Sequence, residues 1–214
     1  MNVIVVLTPM IGTIFGIMYF YSAREFTELL LAQPVKRSKI FLGQYLGLAA
    51  SLSLSLIIGL GIPFVFYGIT ESAEIWDFGL LLIVGTFLTF IFVALAVNIA
   101  LRNENKVKGF GYAILLWLFM AVIYDGIFMI LLIVFDDYPL DKFTLIASMF
   151  NPIDLSRIMI LLKLDISALL GYTGALFQNF FGNGWGMIAS LSMLLLWTLI
   201  PVWLLVKVAK KKDF

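Results

Sequence analysis

Long apolar stretches, separated by shorter charged segments, dominate this chain of 214 residues. An α-helix rises ~1.5 Å per residue, so about 20 apolar residues cross the ~30 Å hydrocarbon core of a bilayer. Five stretches reach that length, at approximately residues 3–21, 40–69, 78–101, 109–135 and 185–208. The pattern therefore predicts an all-α integral membrane protein with five transmembrane helices, built as a single domain over residues 1–214.

The segments that connect the predicted spans differ in charge. Eleven of the fourteen Lys and Arg residues lie in the first and third connections and in the C-terminal tail. The positive-inside rule places such segments in the cytoplasm. We therefore predict that the N-terminus is outside, that the C-terminus is cytoplasmic and that the long segment 136–184 is extracytoplasmic. The predicted location is the inner membrane of the cell, where membrane lipid surrounds the bundle.

Composition narrows the chemistry that the chain can perform. It is 63% hydrophobic and 13% charged, and it contains neither Cys nor His. Disulfides, thiolate nucleophiles, imidazole bases and the commonest metal ligand are therefore excluded. The sequence has no GxxxxGK[ST] phosphate-binding loop, so it cannot hydrolyse ATP alone. It also lacks the paired acids or the Ser–base pair that an intramembrane hydrolase needs. We predict that the chain is not an enzyme.

The nine methionines raise the question of copper, because thioethers suit Cu(I). No two of them have the MxxM or MxxxM spacing that would place both sulfurs on one face of a helix. Flexible packing is the preferred interpretation. We predict no metal site, no cofactor and no nucleic-acid partner.

One charged side chain lies near the middle of a predicted span. Asp125, with Tyr124 beside it, belongs to the apolar stretch Gly109–Phe135. A carboxylate at that depth costs about 2.5–3.5 kcal/mol on insertion scales, so we expect it to face protein or a water-filled path. Two interpretations stay open: a polar contact that lines a substrate path or ties two halves of an assembly together, and a structural hydrogen bond to a neighbouring helix. The partners considered for that bond are Asn98, Ser51, Ser53 and Ser55.

The long outer segment contains a helix start at Asn151. Asn suits the N-cap, Pro152 suits the first helical position, and Asp154 adds an acid to the first turn. The helix that follows carries Arg157 on a mostly apolar surface and is too short to span. We therefore predict an interfacial or bundle-capping helix. A second apolar piece, Ser167–Gly182, is predicted to pack at the same outer face.

The connection between the first two spans is the most informative polar stretch. Arg24 and Glu28 have the i, i+4 spacing of an ion pair on a helix, and Pro34 ends that helix. The segment is either an ordinary positive loop or a short helix that docks a partner, because Phe26 and the leucines after it need burial. The residues that we predict to contact such a partner are Arg24, Glu25, Thr27, Glu28, Leu29, Leu30, Pro34 and Arg37.

This segment resembles the permease subunits of ABC-2-type transporters. The resemblance rests on the order Thr27-Glu28, Leu29-Leu30, Pro34, Arg37 and Gly43, which opens the next span. In that family the corresponding segment contains a coupling helix that sits on the ATPase. The resemblance implies an ATPase partner on the cytoplasmic face and a second permease copy, so that the bundle works as a homodimer. The chain departs from the family pattern at Phe26, where glycine is usual, and at Gln44, where lysine is usual.

Three further pieces are similar to the NosY-like branch of that family, which acts in maturation of the copper enzyme nitrous oxide reductase. They are Trp117–Gly126, Asn151–Arg157 and Leu169–Gly182. Family members have six spans and an internal N-terminus, so the resemblance implies that the first span is missing here and that the chain is truncated.

The function that the resemblance implies is transport across the cytoplasmic membrane. The chain would couple ATP hydrolysis by a separate ATPase subunit to export, or to force transmission, for copper-site maturation. A periplasmic maturation protein is a further implied partner, and the implied cargo is a sulfur species or a copper-related one. The alternative is a stand-alone channel or a membrane scaffold that anchors partner proteins.

Overall fold

The computed structural model describes residues 2–67, 75–135, 141–163 and 184–211, and the regular elements within these ranges are all helices. The second apolar piece of the outer segment, Ser167–Gly182, lies outside the described residues. A π-helical turn, Phe119–Ile123, joins α5 to α6. The helices are α1 (Asn2–Ser22), α2 (Arg24–Leu31), α3 (Arg37–Phe66), α4 (Ile75–Arg102), α5 (Lys106–Leu118), α6 (Tyr124–Val134), α7 (Asp141–Met149), α8 (Pro152–Lys163) and α9 (Gly184–Lys211).

Among the described residues, five helices are long and apolar enough to cross a membrane, as the sequence predicts, and the bent pair α7 and α8 would make a sixth if it formed one span. Their limits agree with the predicted ones to within three residues. Helices α3 and α5 begin three residues before the apolar stretches, so the charged residues Arg37 and Lys106 belong to their first turns. The five segments are Ile4–Ser22, Arg37–Phe66, Ile75–Arg102, Lys106–Val134 and Trp185–Lys210.

Helix α4 is the centre of the bundle, and α1, α3, α5, α8 and α9 all pack against it. Small residues allow the close approach of α1. A Cβ added at Gly16 would lie 2.8 Å from the Cβ of Ala96, and one at Gly12 would lie 3.5 Å from the carbonyl oxygen of Thr89. Without a hydrophobic driving force between helices in lipid, such close backbone packing is a main source of association. The α1–α4 pair is therefore the most extensively packed pair of helices among the described residues.

The buried apolar residues form two clusters, one towards each end of the bundle. The first contains the ends of α1, α4 and α9 and the starts of α3 and α5, represented by Ile17, Leu101, Leu205, Phe41 and Ala113. The three basic segments therefore lie at the same end of the molecule. The second cluster joins the opposite halves of α1, α4 and α9 to α8.

Helices α7 and α8 form a sharply bent hairpin, with 112° between the axes of Phe143–Met149 and Pro152–Leu161. Ile153 and Leu155 of α8 are fully buried, and α8 contacts α1, α4 and α9. Helix α8 is therefore part of the packed bundle.

Candidate functional site

Helix α2 is held to the bundle by a buried hydroxyl. Thr27 is only 4% exposed, and its Oγ1 donates to the carbonyl oxygen of Ala23 at 2.7 Å. The same oxygen accepts a hydrogen bond from Nε2 of Gln44 on α3, at 2.6 Å. The side chain of Gln44 therefore links α2 to the start of the second span. Pro34 lies in the turn between α2 and α3, where it continues neither helix.

The opposite face of α2 is exposed and carries both apolar and acidic groups. Phe26 is 59% exposed and Leu29 is 69% exposed. Glu25 and Glu28 are exposed beside them, and Nε of Arg24 lies 3.1 Å from Oε1 of Glu28. Leu30 and Leu31 are half-buried instead. We call the four residues Phe26, Leu29, Glu25 and Glu28 the α2 face.

A second contact ties α1 to the connection between α4 and α5. The hydroxyl of Tyr21 donates to the carbonyl oxygen of Asn103 at 2.7 Å. Gly109 makes room for this side chain, because a Cβ there would lie 2.0 Å from the Tyr21 hydroxyl oxygen. Asn105 caps α5, and its side-chain oxygen accepts from the backbone N–H of Val107 at 2.9 Å. Sequence reasoning missed Tyr21 and Gly109, because neither an aromatic residue at a span end nor a glycine inside a span is distinctive.

Asp125 forms an ion pair with Arg157, across the interface between α6 and α8. This partner differs from the candidates considered from sequence. Asn98 instead donates to the carbonyl oxygens of Ala94 and Pro201, each at 2.8 Å. The structure therefore brings together two of the predicted site residues from segments that sequence treated separately. The pair satisfies the expectation that a carboxylate at this depth faces protein.

Asp154 and Asn151 complete a polar cluster around Arg157. Oδ1 of Asp154 lies 3.7 Å from Nη1 of Arg157, and Oδ2 accepts from Nδ2 of Asn151 at 2.9 Å. The side-chain oxygen of Asn151 also accepts from the backbone N–H of Ile153 at 3.1 Å, as expected of an N-cap. We call Asp125, Asn151, Asp154 and Arg157 the outer cluster.

The π-helical turn supplies a backbone acceptor to this cluster. Nδ2 of Asn151 donates to the carbonyl oxygen of Met120, within the turn Phe119–Ile123, at 2.7 Å. A π-helical turn shifts the backbone pairing from i+4 to i+5, and such turns are frequent at functional sites. The N-cap of α8 is therefore bonded to the backbone of the fourth span, and Arg157, further along α8, is paired with the Asp125 side chain of the same span.

Two aromatic side chains hold the end of α7. The hydroxyl of Tyr124 donates to the carbonyl oxygen of Ala147 at 2.6 Å, and Nε1 of Trp197 donates to that of Met149 at 3.1 Å. The backbone N–H of Phe150 also donates to the carbonyl oxygen of Ala147, at 3.0 Å, so Tyr124 adds a second donor there, and Trp197 supplies a donor to the last carbonyl of α7. The sequence analysis named Tyr124 only as the neighbour of Asp125, and it did not identify Trp197. Within the described residues, no group of His, Cys, Asp and Glu side chains could hold a metal ion.

The model of the family described as ABC-2 family transporter protein matches residues 2–213. This chain belongs to the ABC-2 family. As an ABC-2 family protein with five long apolar helices, it is a multi-pass protein of the inner membrane. The resemblance to ABC-2-type permeases that was seen in the segment between the first two spans is thereby confirmed.

Two similar ABC-2 proteins carry the name "Probable ABC transporter permease protein NosY". The one from Stutzerimonas stutzeri is 28% identical over 151 residues, which cover 68% of this chain and 51% of that protein. The one from Pseudomonas aeruginosa (strain PAO1) is 28% identical over 149 residues, which cover 65% of this chain and 53% of that protein. The chain spans about half the length of the curated relatives that it matches.

Proposed function

We propose that this chain is the membrane-spanning permease subunit of an ABC transporter. It couples ATP hydrolysis by a separate ATPase subunit to export, or to force transmission, across the cytoplasmic membrane. The observation that carries the proposal is the α2 face, which presents Phe26 and Leu29 to the outside of the bundle beside two carboxylates. Exposed apolar side chains on a soluble face cost free energy unless a partner covers them, and the family supplies an ATPase as that partner.

The bonds around α2 support a route for the force. Thr27 joins α2 to Gln44 of α3, and Tyr21 joins the end of α1 to the connection after α4. A displacement of α2 by the ATPase would therefore be transmitted to α1, α3 and α4 at the same end of the bundle. Since α4 is packed along most of its length, a tilt of the α1–α4 pair would reach the outer cluster as a rigid motion.

Of the predicted site residues, we assign Glu25, Glu28 and Leu29 to direct ATPase contact. In this assignment Arg24 positions Glu28 through their ion pair. Thr27 and Leu30 anchor α2 to the bundle. Pro34 and Arg37 define the turn from α2 into α3. The positive-inside rule places this end in the cytoplasm. The outer cluster then lies on the periplasmic side, where α7 and α8 would meet a maturation protein.

The finer proposal is a role in copper-site maturation of nitrous oxide reductase, with a second copy of the chain completing a homodimer. Similarity to the two proteins named NosY supports this assignment. In this role the chain would move a sulfur species or a copper-related cargo, or transmit force.

The test is recovery of an ATPase with the affinity-tagged chain from native membranes in mild detergent. We expect an ABC ATPase to co-purify, and expect Phe26→Ser and Leu29→Ser to lose it. Val107→Ser is the matched control, because Val107 is 80% exposed at the same end of the bundle but belongs to α5. Recovery of no ATPase with the intact chain would favour the alternative, a stand-alone channel or a membrane scaffold. Equal recovery with all three variants would refute the role of the α2 face.

A further inference from the structure

The bend of the α7–α8 hairpin lies level with the middle of two spans. Asn151, the N-cap of α8, donates to the carbonyl oxygen of Met120, which is the central residue of the fourth span. Trp197, next to the midpoint of the last span, donates to the carbonyl oxygen of Met149 at the end of α7. Met120 is fourteen residues from either end of its span, or about 21 Å at ~1.5 Å per residue. The hairpin therefore turns back deep inside the bundle.

The outer cluster, just beyond this bend, contains two acids and one base. Arg157 pairs with Asp125, and its Nη1 lies 3.7 Å from Oδ1 of Asp154. The side chains of Asp125 and Asp154 are also close enough to form a hydrogen bond with each other. With both acids ionised, the cluster would carry one net negative charge. A net charge at such a depth in a membrane protein is costly, and two adjacent carboxylates raise that cost further.

One oxygen of the cluster lacks a hydrogen-bond donor. The side chain of Asp154 is 9% exposed, and its Oδ2 accepts from Nδ2 of Asn151 at 2.9 Å. Its Oδ1 is buried and accepts no hydrogen bond from any described residue. Nη1 of Arg157, at 3.7 Å, is beyond hydrogen-bonding distance. A buried acceptor without a donor costs free energy, and a proton held between the two carboxyl groups would supply that donor.

Other charged groups of the helices that pack on α8 lie away from the cluster. Helix α1 and the π-helical turn contain no charged residue, and those of α4, α7 and α9 lie in turns near the ends of these helices. On α8 itself, the third charged residue is Lys163, at its end. Tyr124 is the other titratable group beside the cluster, and its hydroxyl donates to the carbonyl oxygen of Ala147. Asp125, Asp154 and Arg157 therefore set the charge at this point.

We propose that Asp125 and Asp154 form a proton-binding site, in which the two carboxyl groups share one proton and Arg157 balances the remaining negative charge. The proton comes from water and adds to one carboxylate oxygen, and the new O–H donates to the other carboxylate. The cluster then has no net charge, and both acids keep their contact with the arginine. The site depends on neither the ATPase nor the cargo, so it stands or fails separately from the proposed function.

The shared proton makes the attachment of α8 to the fourth span depend on pH. When the hairpin opens, the two acids separate and meet water, where an aspartate is ionised above about pH 4. The closed hairpin thus holds a proton that the open one releases. Attachment is therefore strongest at low pH and weakens as the pH rises until the closed site loses its proton. For one proton, the opening equilibrium increases by up to about tenfold per pH unit within that range.

The first experiment detects the proton itself. The full chain, with its aspartate carboxyl groups labelled with ¹³C, is placed in phosphatidylcholine nanodiscs, and its infrared spectrum is recorded at neutral pH. We expect the carbonyl band of one protonated aspartate. Asp125→Asn should remove this band, because Asp154 then balances Arg157 alone and needs no proton, and Asp154→Asn should remove it for the same reason. Asp77→Asn is the matched control and should keep the band, since Asp77 lies in the first turn of α4.

The second experiment measures attachment and needs no variant to fold. Hydrogen exchange of the α8 amides in the wild-type chain is followed against pH and corrected for the intrinsic exchange rate. We expect opening to increase with pH in the wild type and to be constant in Asp125→Asn, over the range where the band disappears.

Four results would overturn the proposal. A spectrum of the wild type without the band would show that both acids are ionised. A band that persists in Asp125→Asn would show that Asp154 is protonated by burial alone, without sharing. Loss of the band in Asp77→Asn would place the proton elsewhere, and opening of α8 that does not change with pH in the wild type would remove its link to attachment.

Discussion

Arg157 of α8 pairs with Asp125 of α6, and its Nη1 also lies 3.7 Å from Oδ1 of Asp154. One cation therefore serves two carboxylates at the junction between the fourth span and the α7–α8 hairpin. The side chain of Arg157 is 23% exposed and that of Asp125 is 37% exposed, so the rest of the protein covers the pair only in part. The arrangement is asymmetric. Removal of Arg157 deprives both Asp125 and Asp154 of their cation, whereas removal of Asp125 leaves Arg157 with Asp154 as a partner.

This asymmetry gives the first prediction. Arg157→Gln should destabilise the folded chain more than Asp125→Asn, by about 1–3 kcal/mol, the typical cost of leaving buried polar groups without a partner. The measurement is unfolding of the purified protein in mixed micelles with increasing SDS. Glu28→Gln is the control, since its ion pair with Arg24 is about half exposed and should contribute less than about 1 kcal/mol. Equal effects of Arg157→Gln and Asp125→Asn would contradict the shared-cation arrangement.

The second prediction concerns the end of α7. Tyr124→Phe removes the hydroxyl that donates to the carbonyl oxygen of Ala147. We expect a loss of about 1 kcal/mol and faster amide hydrogen exchange in α7, with little change in α4. Tyr112→Phe is the matched control, because Tyr112 lies on the preceding part of the same span and is 54% exposed. Unchanged exchange in α7 would show that Trp197 and the outer cluster hold the hairpin without Tyr124.

The third prediction uses two glycines of α5. Gly109→Ala should destabilise the bundle, because the new Cβ would lie 2.0 Å from the hydroxyl oxygen of Tyr21. Gly111→Ala should be neutral or stabilising by about 0.5–1 kcal/mol, since its Cβ meets no described heavy atom within 4 Å and alanine favours a helix. Thermal unfolding of both variants in detergent measures the difference. Addition of Tyr21→Phe should recover part of the stability of Gly109→Ala, and no recovery would place the clash elsewhere.

The fourth prediction tests the α2 face by charge. Glu28→Lys replaces an ion pair by two positive charges four residues apart, and it reverses one of the two exposed acids. We expect lower ATPase association and impaired transport-dependent maturation, with membrane insertion unchanged. Co-purification and protease protection measure the two properties separately. Glu104→Lys is the control, because Glu104 is exposed in the connection between α4 and α5. Normal maturation with Glu28→Lys would count against the coupling-helix assignment.

Local sequence was sufficient for features that depend on a few consecutive residues. The start of α8 follows from Asn151 and Pro152, and the ending of α2 follows from Pro34, because capping and the missing N–H of proline act within one turn. The partner of Asp125 could not be found in this way. Arg157 lies 32 residues further along the chain, and only the folding back of the α7–α8 hairpin brings the two together.

The sequence by itself determined that the chain has five apolar stretches long enough to span a membrane, which connections between them are basic and which family it resembles. Each of these follows from the length of apolar runs and the placement of charges, both of which can be read along the chain. Only the tertiary structure decided that α4 is central and that Arg157 lies against Asp125. The physical reason is that lipid and protein interior are equally apolar, so hydrophobicity does not distinguish a side chain that faces a neighbouring helix from one that faces the membrane.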